Sequence, residues 1–198
     1  MTMVFDGSNG LTMQTWTTTS RPASPVIGQT GFNTTYNGQE VYNGSAWTLM
    51  NGGPAFSAYP SGSFSASAST WTIIPANTKE FDTNSNYNNT GSTVGNTPAY
   101  SFLPTVPGYY QVNGTWSLGA GSTFTRSLCA IYKNGSLFKQ GLDTTTTTAT
   151  GSTVSALLYL NGTTDYISFY LYETGSGTNT VNAGPGSTYF QANFVRGQ

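Results

Sequence analysis

The chain has 198 residues, enough for one large or two small domains with a buried core. Charged residues make up only 7% of it and the net charge is -1, which excludes the clustered lysines and arginines of a typical nucleic-acid binder. Histidine is absent and Cys129 is the single cysteine, so intrachain disulfides, Cys/His zinc sites and histidine-dependent catalysis are excluded.

The composition favours strands and tight turns. Aromatic residues reach 14%, and glycine occurs 24 times. Aromatic and β-branched residues prefer strands, while glycine and asparagine prefer turns, so the balance predicts an all-β protein. No apolar run reaches the roughly 18 residues of a membrane span, and residues 1–6 lack the pattern of a secretion signal. We therefore expect a soluble protein made in a cytoplasm.

The first predicted element is a small three-stranded meander. Its strands are residues 31–35, residues 39–42 and a third from Trp47, separated by the Asn-Gly pairs at 37–38 and 43–44. This dipeptide is the strongest short hairpin signal, since both of its residues tolerate positive φ. The composition shifts at residues 51–54, and we place the boundary between an N-terminal β-arm (1–52) and the main domain (53–198) there.

Alternating patterns predict four strands in the main domain: residues 109–118, 154–160, 166–172 and 189–195. In the third of these, Ile167, Phe169 and Leu171 share one face, while Tyr166, Tyr170 and Tyr172 occupy the other. A strand buried on one side only does not need three tyrosines on the other, so this sheet is predicted to meet another subunit. The alternative is that the tyrosines pack within the chain with their hydroxyls in water.

The carboxylates offer little chemistry. Glu80 and Asp82 share a strand face, as a glycosidase pair or a calcium site would require. Acids spaced two apart are common by chance, however, and no dense loop of alternating acids surrounds Asp82, Asp143 or Asp165. We predict no enzyme activity, no cofactor and no metal site.

Several blocks from residue 55 onward resemble the complement C1q-type globular domain, the tumour-necrosis-factor-like jelly roll. The best local marker is FLPTVPGYY at Phe102 to Tyr110. The other blocks are AFSA at 55–58, NYN at 86–88, LCAIYKNG at 128–135, VSALLYLNGTTDYI at 154–167 and TYFQANF at 188–194. The resemblance implies an antiparallel jelly-roll sandwich that forms a homotrimer around an aromatic axis. The candidate trimer-interface residues are Tyr110, Trp116, Tyr166, Tyr170 and Tyr172.

The N-terminal segment is similar to a short β-module of tailed-bacteriophage virion (fibre-type) proteins. The similarity lies in RPASPVIGQTGFNTT at residues 21–35 and EVYNGSAW at residues 40–47. It implies that this module attaches the protein to a virion. The candidate attachment residues are Arg21, Pro22, Phe32, Tyr42 and Trp47.

Two functions are compatible with these resemblances. The first is a homotrimeric capsid decoration (cement) protein that stabilises a phage head and binds the major capsid protein or another virion protein. The alternative is the tip of a tail or head fibre that binds a receptor or a host surface glycan. No shaft-like repeat precedes residue 55, which favours decoration. The predicted location is the virion surface after assembly in the host bacterial cytoplasm, without nucleic-acid or membrane partners.

Overall fold

A computed structural model describes residues 5–6, 10–50, 52–119, 124–145, 151–175 and 178–197. Across these residues the protein is all-β, as predicted, and none of them lies in an α-helix. The described part of the chain also contains no helix long and apolar enough to cross a membrane. The chain divides into two compact units, Met1–Gly53 with Arg196–Gln198, and Pro54–Val195.

Short strands build the first unit. They are β1 (Phe5–Asp6), β2 (Gly10–Leu11), β3 (Thr15–Trp16), β4 (Thr30–Asn33), β5 (Gly38–Tyr42) and β6 (Trp47–Leu49). Strands β4, β5 and β6 form the predicted antiparallel meander, with turns at the two Asn-Gly pairs. Strand β3, which the sequence patterns did not indicate, pairs in parallel with β4 and completes a four-stranded sheet.

The buried Trp16 side chain organises this small sheet. Its indole lies directly over Gly31, where a Cβ atom would overlap the ring. Position 31 therefore requires glycine, because the packing of the indole leaves no room for a side chain. On its other edges Trp16 contacts Trp47, with ring centroids 4.7 Å apart, and donates from Nε1 to Glu40 Oε2 at 2.9 Å. The core of the module is thus partly polar.

In the described part of the second unit there are thirteen strands. They are β7 (Ala55–Tyr59), β8 (Phe64–Ser67), β9 (Thr72–Ile73), β10 (Thr78–Asp82), β11 (Tyr87–Asn88), β12 (Ser101–Phe102), β13 (Gly108–Ser117), β14 (Phe124–Lys133), β15 (Ser136–Gln140), β16 (Gly151–Leu160), β17 (Ile167–Gly175), β18 (Thr178–Val181) and β19 (Tyr189–Arg196). The four alternating patterns of the sequence correspond to β13, β16, β17 and β19.

These strands form a jelly-roll sandwich. The first main sheet has the order β10-β7-β19-β13-β16, and the second has the order β11-β12-β17-β14-β15, with β9 on β17. From β13 onward the long strands alternate between the sheets, and the last strand, β19, returns beside the first, β7. This crossing connectivity distinguishes a jelly roll from a simple meander. The predicted fold class is confirmed.

The inward faces of both sheets meet in one aromatic core. Phe56 lies at its centre, stacked on Tyr87 at 4.4 Å and on Phe102 at 4.6 Å, with Phe190 edge-on at 5.0 Å. Offset and edge-on ring pairs at these separations add to the stabilisation from burial alone. The core explains why aromatic residues recur at alternate positions of the long strands.

The Asn113-Gly114 pair lies inside β13 and not in a turn, as the alternation around it predicts. Gly114 is paired with Val154 on β16, and a Cβ at this position would meet the Phe169 ring at 2.7 Å. The close approach of the opposite sheet therefore accounts for a glycine in mid-strand.

A buried carboxyl group lies near one end of β17. Glu173 is fully buried, and its Oε2 accepts a hydrogen bond from Asn179 Nδ2 at 3.1 Å. Among the described residues none donates to Oε1. Burial raises the pKa of Glu173 above its usual range, although the hydrogen bond from Asn179 partly opposes this. The folded protein thus holds this proton more tightly than the unfolded chain does.

Replacing Glu173 with glutamine is expected to stabilise the protein at neutral pH. Because the folded-state pKa is raised, the protonated carboxyl stabilises the fold below the unfolded value of about 4.3, and this contribution is lost as pH rises through the folded value. The variant should gain about 1–3 kcal/mol in the free energy of unfolding at neutral pH and little near pH 4. Urea unfolding at both pH values measures the difference.

Glu80 provides the matched control, because it lies at the surface, where its Oε2 accepts a hydrogen bond from Ser57 Oγ at 2.6 Å. Glu80→Gln should not reproduce the pH-dependent gain. An equal effect of Glu173→Gln at both pH values would contradict the buried-carboxylate explanation.

Candidate functional site

Two of the five predicted trimer-interface residues lie inside the protomer, which corrects that part of the prediction. Tyr110 is 0% exposed and Trp116 is 1% exposed. Both belong to the inward face of β13: the Tyr110 hydroxyl donates to Val106 O at 2.7 Å, and Trp116 Nε1 donates to Leu128 O at 3.2 Å. Because both side chains are buried and hydrogen-bonded within one protomer, neither can contact a second subunit.

The other three candidates lie on the outer side of the second sheet. Tyr170 and Tyr172 join Trp71 and Tyr132 in a partly exposed set of rings that we call the aromatic cluster. The Tyr132 and Tyr170 centroids are 4.2 Å apart, and burial raises the pKa of both hydroxyls. Tyr166 lies beside the β14–β15 turn, where a Cβ on Gly135 would come within 3.2 Å of its hydroxyl.

The aromatic cluster has a role inside the protomer. Leu128 and Ala130 of β14 are paired with Tyr172 and Tyr170, so they point away from the main core, and yet both are buried. The register places Tyr172 beside Leu128 and Tyr170 beside Ala130, on the same side of the second sheet. The intrachain alternative raised from the sequence accounts for this packing, and contact of Tyr166, Tyr170 and Tyr172 with another subunit stays a prediction.

The outer side of the first sheet carries another surface, which we call the tyrosine face. Here Tyr109 of β13 is paired with Tyr159 of β16, and their ring centroids are 5.7 Å apart. Next to them, Gln111 is paired with Leu157, whose side chain is 56% exposed. Tyr59 and Tyr189 alternate with core residues on β7 and β19 and so share this side. An exposed leucine among amphipathic rings is typical of a protein contact surface.

An exposed apolar edge adjoins the tyrosine face. All five residues of β15 are exposed, including Leu137 and Phe138, and Leu142 follows on the way to β16. Leu142 N donates to Thr153 O at 3.0 Å, which holds this segment against β16. Since β15 ends the second sheet and β16 ends the first, these three side chains lie along one side of the sandwich. We call them the apolar edge.

The five predicted attachment residues are partly buried in the N-terminal unit. Arg21 is bound internally: both its Nε and Nη2 donate to the buried Glu40 carboxylate, and its guanidinium lies 5.6 Å from the Tyr36 ring centre. Burial alone would raise the pKa of Glu40, but hydrogen bonds from Arg21, Trp16 and Asn33 hold it below its usual range. Arg21 thus stabilises the module, and this ion pair explains the residue without a role in attachment.

Two of the aromatic attachment candidates also pack against each other within this unit. Tyr42 and Trp47 have centroids 5.6 Å apart, and the Tyr42 hydroxyl donates to Gly44 O at 3.0 Å. Pro22 and Phe32 are half-buried as well.

Sequence reasoning missed the most exposed apolar pair among the described residues of the module. Val26 is 69% exposed and Ile27 is 78% exposed, in the connection between a short 3-10 helix (Thr18–Ser20) and β4. Gly28 N donates to Tyr42 O at 2.8 Å and Gln29 N to Val26 O at 2.9 Å, so the backbone of this connection is well defined. The sequence feature that could have identified this pair is an apolar Val-Ile dipeptide between Pro25 and Gly28, where polar turn residues are expected.

Three aspartates are each paired with a cation rather than grouped with other acids. Asp82 binds Lys79 at 2.8 Å, Asp143 binds Arg126 at 2.7 Å, and Asp165 binds Lys133 at 2.9 Å. Within the described ranges, no three acidic, cysteine or histidine side chains come together as metal ligands would. Cys129 is buried, and burial raises its pKa to about 12, so its thiol is not an activated nucleophile.

The chain matches known proteins in structure and not in sequence. No protein-family model matches the chain, and no curated protein matches it in sequence. A crystal structure of murine APRIL at pH 5.0 superposes with a TM-score of 0.50 and 8% identity, over 72% of this chain and 99% of that chain. Eiger TNF from S. frugiperda gives 0.47 with 11% identity, over 73% and 92%. Rabbit GITRL gives 0.41 with 11% identity, over 72% and 93%.

At such low identity the likeness to murine APRIL shows the fold alone, and that fold is the TNF-like jelly roll. The expected C1q/TNF-like architecture is therefore confirmed. The comparisons add nothing on the N-terminal module, whose resemblance to phage virion proteins stays a prediction.

Proposed function

We propose that this chain is a homotrimeric structural protein of a tailed-phage virion that decorates the head and stabilises it. The observation that supports self-association is the pair of exposed surfaces on one protomer, the tyrosine face and the apolar edge. The virion assignment rests on the resemblance of residues 21–35 and 40–47 to phage modules. The proposed role is that of a binding and structural protein rather than an enzyme.

The tyrosine face and the apolar edge favour the assembly of protomers into a closed ring. The tyrosine face is broad and amphipathic, whereas the apolar edge is a narrow row of Leu137, Phe138 and Leu142. Two unlike surfaces pair head to tail, so each protomer uses its edge on one neighbour and its face on the other. Such heterologous contacts close into a ring when the rotation permits, and the resemblance to the TNF-like fold favours three members.

A threefold ring suits a decoration protein. A trimer placed on a local threefold point of a capsid lattice contacts three capsid subunits in the same way and gains from their combined binding. The N-terminal unit supplies an attachment surface, and we assign its contact point to Val26 and Ile27 because their apolar side chains are the most exposed among the described residues of that unit. The proposed location is the virion surface, after assembly in the bacterial cytoplasm.

The second candidate function is a receptor- or glycan-binding fibre tip. A polar cavity between β10 and the segment 85–97 favours it, since small polar clefts on rigid scaffolds are common ligand sites. A trimer, an attachment module and an exposed loop cluster serve a fibre tip as well as a decoration protein.

Immunogold labelling of intact particles with an antibody to this chain tests the proposal. We expect label spread over the heads, and particles lacking the protein should lose head integrity at lower temperature or weaker osmotic shock. Label confined to tail or fibre ends would replace decoration with receptor binding. Particles of the producing phage without label would refute both virion roles.

A further inference from the structure

A cavity of about 280 Å³ opens beside β10, the strand that ends the first sheet. It lies between Lys79 of β10 and the segment 85–97. Asn86, Asn89, Thr90, Val94 and Thr97 are among the residues that line it. The volume lies just below the range of drug-sized ligand pockets, so it suits a ligand of about one ring.

The floor of the cavity is held by the Asp82 carboxylate. It accepts hydrogen bonds from Asn86 N at 3.0 Å and Tyr87 N at 3.1 Å, and it binds Lys79 Nζ at 2.8 Å. Its side chain is only 4% exposed. These contacts fix the start of the loop and neutralise Lys79, which lines the cavity.

The rim of the cavity is held by the Asn88 side chain. Its Nδ2, which carries two hydrogens, lies within hydrogen-bond distance of three carbonyl oxygens, those of Ser92 at 2.8 Å, Thr97 at 3.0 Å and Pro98 at 3.0 Å. Its Oδ1 accepts from Thr90 N at 2.9 Å and Thr90 Oγ1 at 2.8 Å. One buried amide thus sets the conformation of the whole loop, and a cavity shaped before the ligand arrives avoids the entropy cost of ordering it.

Backbone strain occurs at the start of this segment and three residues beyond its end. Ser85 has φ of 55° and Tyr100 has φ of 50°, in the left-handed region that non-glycine residues seldom adopt. Such conformations persist where the surrounding contacts enforce them, and they concentrate at binding sites.

Two asparagine side chains each have one amide atom that is available to form a hydrogen bond with a ligand. Asn86 Oδ1 accepts from Thr105 N at 3.2 Å, and no described residue accepts from its Nδ2. Asn89 Nδ2 donates to Asn77 O at 2.8 Å, and within the described part of the chain its Oδ1 receives no hydrogen bond. Together with the Thr97 hydroxyl, these groups provide both donors and acceptors.

The lining therefore selects against two ligand classes. An apolar ligand would leave the asparagine and threonine groups of the lining without hydrogen-bond partners, and a phosphate or other anion would find Lys79 already paired with Asp82. A neutral molecule with several hydroxyl groups matches the mixed donors and acceptors. We propose that this cavity is a binding site for a single neutral sugar unit of a glycan. The inference holds for either location of the protein on a particle.

Saturation-transfer difference NMR on the full chain tests this site. The probes are D-glucose, D-galactose, N-acetyl-D-glucosamine and L-rhamnose, with inorganic phosphate as the anionic competitor. We expect saturation transfer to at least one sugar, with a dissociation constant on the order of 1 mM, and no competition by phosphate. Silence from all four sugars, or displacement of the sugar by phosphate, overturns the proposal.

Two matched pairs of variants locate the binding. Thr97→Phe fills the cavity and Asn89→Ala removes a lining amide, and each should weaken sugar binding about tenfold or more. Thr93→Phe and Asn96→Ala place the same changes on exposed residues of the same loop, outside the lining, and should leave binding unchanged. If Thr97→Phe lowers the melting temperature sharply, Asn89→Ala decides alone. Binding that survives the cavity variants places the sugar elsewhere and overturns the assignment.

Discussion

Leu157→Asp is expected to convert the proposed trimer into folded single protomers. Leu157 lies on the tyrosine face next to Tyr109 and Tyr159, and more than half of its side chain is exposed in the protomer. The change thus costs the isolated protomer little. In a closed ring the new carboxylate of each protomer would be desolvated without a partner, and each such contact would lose several kcal/mol. Light scattering coupled to size exclusion gives the mass, and circular dichroism reports the retained β structure.

Val94→Asp is the matched control, because Val94 is 55% exposed and lies on neither the tyrosine face nor the apolar edge. It should leave the oligomer intact. Tyr170→Asp compares the two faces directly: loss of the oligomer with this variant, but not with Leu157→Asp, would move the interface to the aromatic cluster. A wild-type chain that is monomeric at all concentrations would contradict self-association altogether.

Arg21→Met is expected to unfold the N-terminal unit while the jelly roll stays folded. Arg21 neutralises Glu40, whose side chain is only 1% exposed and which also accepts from Trp16 Nε1. Removing one partner of a buried ion pair leaves an uncompensated charge and costs about 3–5 kcal/mol, which a sheet of four short strands cannot absorb. Hydrogen exchange read by mass spectrometry should show loss of protection over residues 30–49 and retained protection over residues 108–117.

Arg126→Met makes the same substitution in an exposed pair. Arg126 and Asp143 form a two-pronged salt bridge on the surface, with side chains 41% and 32% exposed. Its loss should change the free energy of unfolding little, because the pair is exposed to solvent, and should leave the exchange pattern unchanged. Equal effects of the two substitutions would show that the Arg21–Glu40 pair is no more buried in solution than a surface pair.

Periodicity and turn chemistry carried most of the fold information in this chain. The alternation from Tyr109 to Leu118 and the two Asn-Gly pairs of the N-terminal unit are local signals, because side-chain direction in a strand and turn type depend on adjacent residues. They were sufficient for the strands, for the meander and, with the resemblance of the FLPTVPGYY block, for the jelly roll. The parallel pairing of β3 with β4 was not predictable in this way, since only two residues, Thr15 and Trp16, carry it.

Local sequence patterns could not predict the candidate surfaces, because these depend on contacts between residues that are distant in sequence. Tyr110 and Tyr109 are adjacent and chemically identical, and yet the first is in the core and the second on the surface. Alternation separates their two faces, but whether a face meets the other sheet, a covering residue such as Trp71, or solvent depends on residues distant in sequence.

The amino-acid sequence by itself determined the all-β class, the turns and the alternation of each long strand, and its composition excluded histidine and disulfide chemistry. Only the tertiary structure decided which tyrosines remain exposed, that Arg21 is bound to Glu40 across 19 positions, and that the loop after β10 encloses a cavity. The physical reason is that burial and hydrogen-bond pairing are properties of groups brought together from distant parts of the chain, whereas strand and turn formation depend on neighbours.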